Sequence, residues 1–195
     1  MTIDDEHPLV LASASPRRRE LLSRVGVPLV VRPVAVDEAV LTGEGPVDYL
    51  ERVVAAKAEA ARRFGTGATL VADTSVILDG EILGKPADDE EARSMIAQLA
   101  GREHEVATRF ELSEGQHAET VRTRVWFRPL SSAQIDRYVA TGEGRDKAGA
   151  YGIQGVGAML VTRVEGSYTN VVGLPLAEVV EALEARGWTG PCGRS

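Results

Sequence analysis

Apolar positions along the chain fall into short unbroken runs separated by longer stretches with helical spacing. Leu9–Ala12, Leu29–Val31 and Thr69–Ala72 read as short buried strands. Ser15-Pro16 opens a helix running to about Val25, with Gly26 as its stop. Pro46 opens a longer helix to about Phe64, closed by Gly65. Val76 to Leu83 places apolar runs on either side of Asp79-Gly80 and predicts a hairpin around that turn. Asp88 or Asp89 caps a helix that ends at Gly101, and Ser131 or Ser132 caps another to about Ala140. Strands are expected at about 103–113 and 118–128, joined by a Glu-Gly turn. A final strand region lies at 158–172 among glycine-rich segments, and a last helix runs from Pro175 to about Arg186. Residues 1–8 read as a loose polar lead-in and 187–195 as a frayed tail. The alternation predicts an α/β protein with a mixed sheet rather than a strict βαβ repeat, built as one domain or a compact two-lobed unit.

Three of these segments carry residues whose chemistry conflicts with the bland reading of their element. In Leu11-Ala12-Ser13-Ala14-Ser15-Pro16-Arg17-Arg18-Arg19, the helix opens on three arginines. A helix N-terminus is already partly positive, so each exposed cation there costs about 0.3–1 kcal/mol. A phosphate chain resting on the helix start would reverse the sign. Consecutive residues fan around the helix, so Arg17 and Arg18 are assigned to the ligand and Arg19 to solvent or Glu20. A solvated basic helix end is the alternative. Lys57 lies on the apolar stripe formed by Leu50, Val53, Val54, Ala58, Ala61 and Phe64. It either snorkels its ammonium to water, the commoner outcome for that spacing, or meets an anion. Asp73 follows the run Leu70-Val71-Ala72, where α/β proteins place reactive carboxylates at a strand's C-terminal end; a turn or cap is the alternative.

Asp37-Glu38 adds further carboxylates and Lys85-Pro86 another cation. Hard carboxylate oxygens suit Mg²⁺ or Mn²⁺, ions that also bind substrate phosphates. In Asp146-Lys147-Ala148-Gly149-Ala150-Tyr151-Gly152-Ile153-Gln154-Gly155, the glycines permit close backbone approach, and the Gln154 amide can read a base edge. By composition alone this is a flexible loop. His104 lacks the second histidine of a zinc-binding helix and reads as a strand residue, whereas His7 and His117 fall in expected loops. Trp126 and Trp188 read as packing residues.

Composition narrows the class. The 195 residues are 44% apolar and 26% charged, which is ordinary for a globular domain large enough to need no staples. The net charge of −7 gives no long-range attraction to nucleic acid, so an anionic ligand needs a local cation cluster or a metal. No apolar run approaches the roughly 20 residues that span a bilayer. The acidic start argues against an export signal, and a single cysteine, Cys192, points to a reducing, cytoplasmic setting. No membrane or nucleic-acid partner is expected, and the sequence is compatible with a homodimer without requiring one.

Leu11-Ala12-Ser13-Ala14-Ser15-Pro16-Arg17-Arg18, Ala72-Asp73-Thr74, Leu83-Gly84-Lys85-Pro86, Asp146 to Gly155 and Val172-Gly173-Leu174-Pro175-Leu176 together resemble the Maf family of nucleoside triphosphate pyrophosphatases, in order over residues 9–186. The resemblance implies a single Maf-like domain, with a two-lobed α/β fold around a long mixed sheet, related to the inosine triphosphate pyrophosphatases. It implies hydrolysis of a nucleoside triphosphate to the monophosphate and pyrophosphate with a divalent cation. Asp73 matches the family's proton acceptor, and Arg18, Glu38, Lys57 and Lys85 match its polar site residues. Arg17, Thr74 and Gln154 match positions that separate substrates, in the pattern of the branch acting on dTTP and UTP rather than 7-methyl-GTP. The expected catalytic set is therefore Asp73, Glu38, Lys57 and Lys85. Ser13, Arg17, Arg18, Thr74, Lys147 and Gln154 are expected to bind substrate, and Glu38 and Asp73 to hold the metal. A nucleotide-binding regulator of cell division or septum formation is the rival that the same resemblance allows. Val71, Ala100 and Arg109 depart from the family's usual residues, and Arg109 has no explanation from sequence.

Overall fold

The computed structural model describes residues 3–65, 67–112 and 117–190. In chain order the elements are β1 (Leu9–Leu11), α1 (Pro16–Arg24), β2 (Leu29–Val31), α2 (Pro46–Ala61), β3 (Thr69–Leu78), β4 (Glu81–Leu83) and α3 (Asp89–Leu99). They continue with β5 (Glu103–Leu112), β6 (His117–Phe127), α4 (Ser132–Val139), β7 (Val161–Glu165), α5 (Tyr168–Val172) and α6 (Leu176–Glu184). The seven strands form one mixed sheet in the order β2-β1-β3-β5-β6-β7, with β4 paired to β3. β1 runs parallel to β2 and to β3, while β3–β4 and β6–β7 are antiparallel. The α/β class with a mixed sheet flanked by helices is thus as the hydrophobic pattern predicts.

The chain divides into two compact units: Met1–Asp73 with Thr108–Thr120 and Gly173–Ser195, and Thr74–Ala107 with Val121–Val172. In the first unit, the apolar stripe of α2 buries Leu50, Val53 and Val54, each worth about 1.5–3 kcal/mol when fully covered. Val54 and Ala61 pack with Ala12 and Val71, with Val34, Ala58 and Phe64 closing over them. In the second unit, His104, Phe127 and Tyr151 pack edge-to-face, with ring centroids 4.8 to 5.4 Å apart.

Several boundaries differ from expectation. The strand at Thr69 does not stop at Ala72 but continues through Asp73-Thr74-Ser75 to Leu78, so Asp73 sits within β3 rather than past its end. The Asp79-Gly80 turn is as predicted: φ is 53° and 86° at the two residues, the left-handed pair a tight hairpin requires, and Val76, Ile77 and Leu78 pair with Leu83, Ile82 and Glu81. The region 158–172 holds a strand only at Val161–Glu165, between a 3₁₀ segment at Val156–Leu160 and the short α5. His117 starts β6 instead of lying in a loop. Among the described residues, Ile3 to His7 and Trp188 make specific contacts. Asp4 Oδ1 accepts from the backbone N–H groups of Glu6 and His7, Ile3 is buried, and Trp188 is buried with its backbone N–H donating to Leu183 O. The Glu-Gly turn and Cys192 lie outside the described residues.

Candidate active site

In the first unit, five of the expected residues converge around β3 and the start of α1. Ser15 caps α1, its hydroxyl accepting from Arg18 N at 3.5 Å, and Pro16 takes the first turn as expected. Arg18 does not fan into solvent. It is 8% exposed; its Nε donates to Gly173 O at 2.8 Å, and its Nη1 donates to Ala72 O at 2.8 Å and Ser13 Oγ at 3.1 Å. Burial pushes the guanidinium pKa down, while the negative charge of Asp73 acts the other way. Arg17 is half-buried and Arg19 exposed.

Lys57 does not snorkel. It is 6% exposed, and its Nζ donates to Asp73 Oδ1 at 2.7 Å and lies 2.6 Å from Glu38 Oε1. Asp73 is buried in β3, whereas the Glu38 side chain is 40% exposed on the segment after β2. That segment is held by two α2 residues absent from the sequence-based set. Tyr49 Oη donates to Glu38 O at 3.2 Å, and Arg52 Nη2 donates to Ala39 O at 2.8 Å. Arg52 also forks onto Glu44, with Nε to Oε1 at 2.5 Å and Nη2 to Oε2 at 2.8 Å; these bonds lower the Glu44 carboxyl to about 2. Burial raises the Tyr49 hydroxyl above its ordinary value, and the charges of Asp73 and Glu38 add to the effect. A tyrosine and an arginine one turn apart on an amphipathic helix were the only signal for this clamp.

The remaining expected residues belong to the second unit. Thr74 follows Asp73 on β3 and is half-buried; Lys85 is exposed just after β4. Lys147 Nζ donates to Glu143 O at 2.5 Å and Asp146 Oδ1 at 2.6 Å. Gln154 is exposed on a loop whose backbone wraps the carboxylate of Glu143, a residue that sequence reasoning missed. Its signal was the spacing of Gly152, Gly155 and Gly157, which lets a backbone close around another group. Arg109, unexplained by sequence, has a local role: its Nη1 donates to Thr120 Oγ1 at 3.0 Å and lies 3.2 Å from Glu51 Oε1.

Among the described residues no cluster of three or more His, Cys, Asp or Glu side chains stands ready to hold a metal ion. Glu38 and Asp73, gathered on one ammonium, still form a hard-oxygen pair of the kind that suits Mg²⁺, which is held by one or two carboxylates together with substrate phosphates.

The Maf-like protein family profile matches residues 8–186. The chain belongs to the Maf family. A protein of Geobacter sp. strain M21 named dTTP/UTP pyrophosphatase is 50% identical over 187 residues, covering 93% of this chain and 97% of its own. One of the same name from Alcanivorax borkumensis is 52% identical, covering 90% of this chain and 94% of its own. Among solved structures, a HAM1 protein from Coxiella burnetii shares the fold of this Maf protein, with a TM-score of 0.50 at 16% identity over 91% of this chain and 98% of that one.

Proposed function

We propose that this Maf protein hydrolyses dTTP and UTP to the nucleoside monophosphate and pyrophosphate. The observation that carries the reading is Lys57: an ammonium buried on an otherwise apolar helix stripe and aimed at two carboxylates, in a chain about half identical to relatives named for that reaction. A stripe chosen for packing alone would carry an apolar residue there.

In the reaction, a water oxygen attacks the α-phosphorus, a new P–O bond forms, and the bridging bond to the β-phosphate breaks to release pyrophosphate. Asp73 orients the water and takes its proton; Lys57 fixes the Asp73 carboxylate through the 2.7 Å hydrogen bond. Arg17, Lys57 and Lys85 offset charge on the polyphosphate. Arg18 contributes a fixed positive charge and holds both Ser13 and the Ala72–Asp73 peptide. Thr74 and Gln154 read the pyrimidine, and Lys147 and Ser13 complete the substrate-binding set. Glu38 and Asp73 would hold a divalent cation, Mg²⁺ or Mn²⁺, which supplies neutralisation of phosphate charge when bound. In this reading the whole chain works as one Maf-like domain on the nucleotide pool of the cytoplasm.

The test is pyrophosphate release from dTTP, UTP, CTP, ATP, GTP and 7-methyl-GTP with and without Mg²⁺, for wild type and Asp73→Asn. The pyrimidine pair should lead the panel, and the variant should lose about 10²–10⁴-fold in kcat with its fold intact. Equal turnover of ATP and GTP, preference for 7-methyl-GTP, or near wild-type turnover by the variant would end the reading.

A further inference from the structure

Gln154 is exposed, so its position is set by the backbone that carries it. That backbone, from Gly152 to Gly157, is folded onto one carboxylate. Glu143 Oε1 accepts from Val156 N at 2.8 Å; Oε2 accepts from Gly157 N at 2.7 Å and from Tyr138 Oη at 3.0 Å. Tyr138, buried on α4, in turn accepts from Gly152 N at 3.1 Å. The fit leaves no slack. A Cβ at Gly155 would lie 1.7 Å from Glu143 Oε1, and one at Gly157 would lie 2.6 Å from Gly152 O. Three donors converge on two oxygens, which only a carboxylate accommodates, because an amide NH₂ cannot accept.

We propose that Glu143 is a positioning residue for base discrimination, holding the 152–157 backbone in the conformation that presents Gln154 to the pyrimidine. The proposal rests on the reading of Gln154 as a base contact and extends it to a carboxylate that accepts from the loop's own backbone.

The experiment compares kcat/KM for UTP and CTP, which differ only on the hydrogen-bonding edge of the base, in wild type, Glu143→Gln and Gln154→Ala. In Glu143→Gln the single amide oxygen can serve Val156 or the Gly157–Tyr138 side but not both. The UTP-over-CTP ratio should fall about tenfold, with KM for UTP moving more than kcat. Should Glu143→Gln fail to fold, Tyr138→Phe, which deletes one oxygen from the same network and keeps the ring, is read for the same shift. A proportional loss on both substrates with the ratio unchanged overturns the proposal as a merely structural role. If Gln154→Ala lowers the ratio while neither network variant does, the proposal fails and the base contact stands. If none of the variants moves it, the base contact fails as well.

Discussion

Replacing Lys57 by methionine removes an ammonium while keeping an unbranched apolar stem on the α2 stripe, so the change isolates charge from packing. The two ion pairs it breaks are unequal. The Asp73 side chain is 13% exposed and loses a hydrogen bond of 2.7 Å; stripping one partner from a buried pair costs about 3–5 kcal/mol. The Glu38 side chain is 40% exposed, so water screens it and its pair with Lys57 is worth about 0–1 kcal/mol. The methionine regains part of this, since it needs no desolvation of an ammonium. Lys57→Met should therefore lose about 2–4 kcal/mol of stability in urea denaturation at pH 7. In the double-mutant cycle with Asp73→Asn the coupling should be about 2 kcal/mol. The protein supplies its own reference: Arg24 and Glu20 approach to 2.5 Å, closer than Lys57 and Asp73, yet their side chains are 61% and 52% exposed. Their coupling should stay within about 0–1 kcal/mol. If the Lys57–Asp73 coupling falls to the value measured for Arg24–Glu20, burial does not govern this site, and the account of Lys57 is wrong.

His104, buried in β5 with its ring against Phe127 and Tyr151, is held by desolvation at about 4 rather than its ordinary 6.5. The unfolded chain therefore binds a proton that the folded one refuses: stability is full above pH 6.5, falls as pH drops through the window to about 4, and loses about 3 kcal/mol in all. Urea midpoints across that window should flatten in His104→Gln, and an unchanged slope would refute the assignment. Gly80→Ala, forcing a Cβ onto a φ of 86°, should cost about 1 kcal/mol in thermal melts and leave turnover unchanged. Chelation with EDTA should abolish pyrophosphate release and added Mg²⁺ should restore it; turnover that persists in EDTA would remove the metal from the proposal.

Local signals were legible where one short stretch decides the outcome. Asp79-Gly80 fixes its hairpin because both residues tolerate positive φ, and Ser15-Pro16 starts α1 because cap and first-turn chemistry are local. Asp73-Thr74-Ser75 looks like a strand end because a polar triplet breaks an apolar run, whereas a strand's ladder hydrogen bonds are indifferent to side-chain polarity. The 158–172 region hid a five-residue strand and a five-residue helix, both too short to show a period. Within the site, Asp73 and the α1 arginines stood out as local conflicts, but the fate of Lys57 did not. Its helical spacing fixes a face, and only the parallel pairing that brings β3 beside β1 puts a carboxylate there. Glu143 and Arg52 were hidden for the same reason: each holds backbone groups well away in sequence, Val156 and Gly157 in one case and Ala39 in the other.

The arginines at the head of α1 show how an acidic chain can keep cations ready for an anion. A free arginine there would be repelled by the helix start and would spread its charge through solvent. Arg18 escapes both penalties: Ala72 O, Gly173 O and Ser13 Oγ accept from its guanidinium, and Asp73 lies close enough to favour its charge. A lysine could not replace it, since a single ammonium cannot reproduce a planar fork that reaches three acceptors at once. Lys57 is fixed by the opposite device, two carboxylates instead of backbone oxygens. The first unit thus holds two buried positive groups, one hydrogen-bonded to neutral acceptors and one to acids. A polyphosphate arriving near α1 would meet a charge already oriented, with little left to reorganise, and that is the form of electrostatic stabilisation that lowers a barrier most.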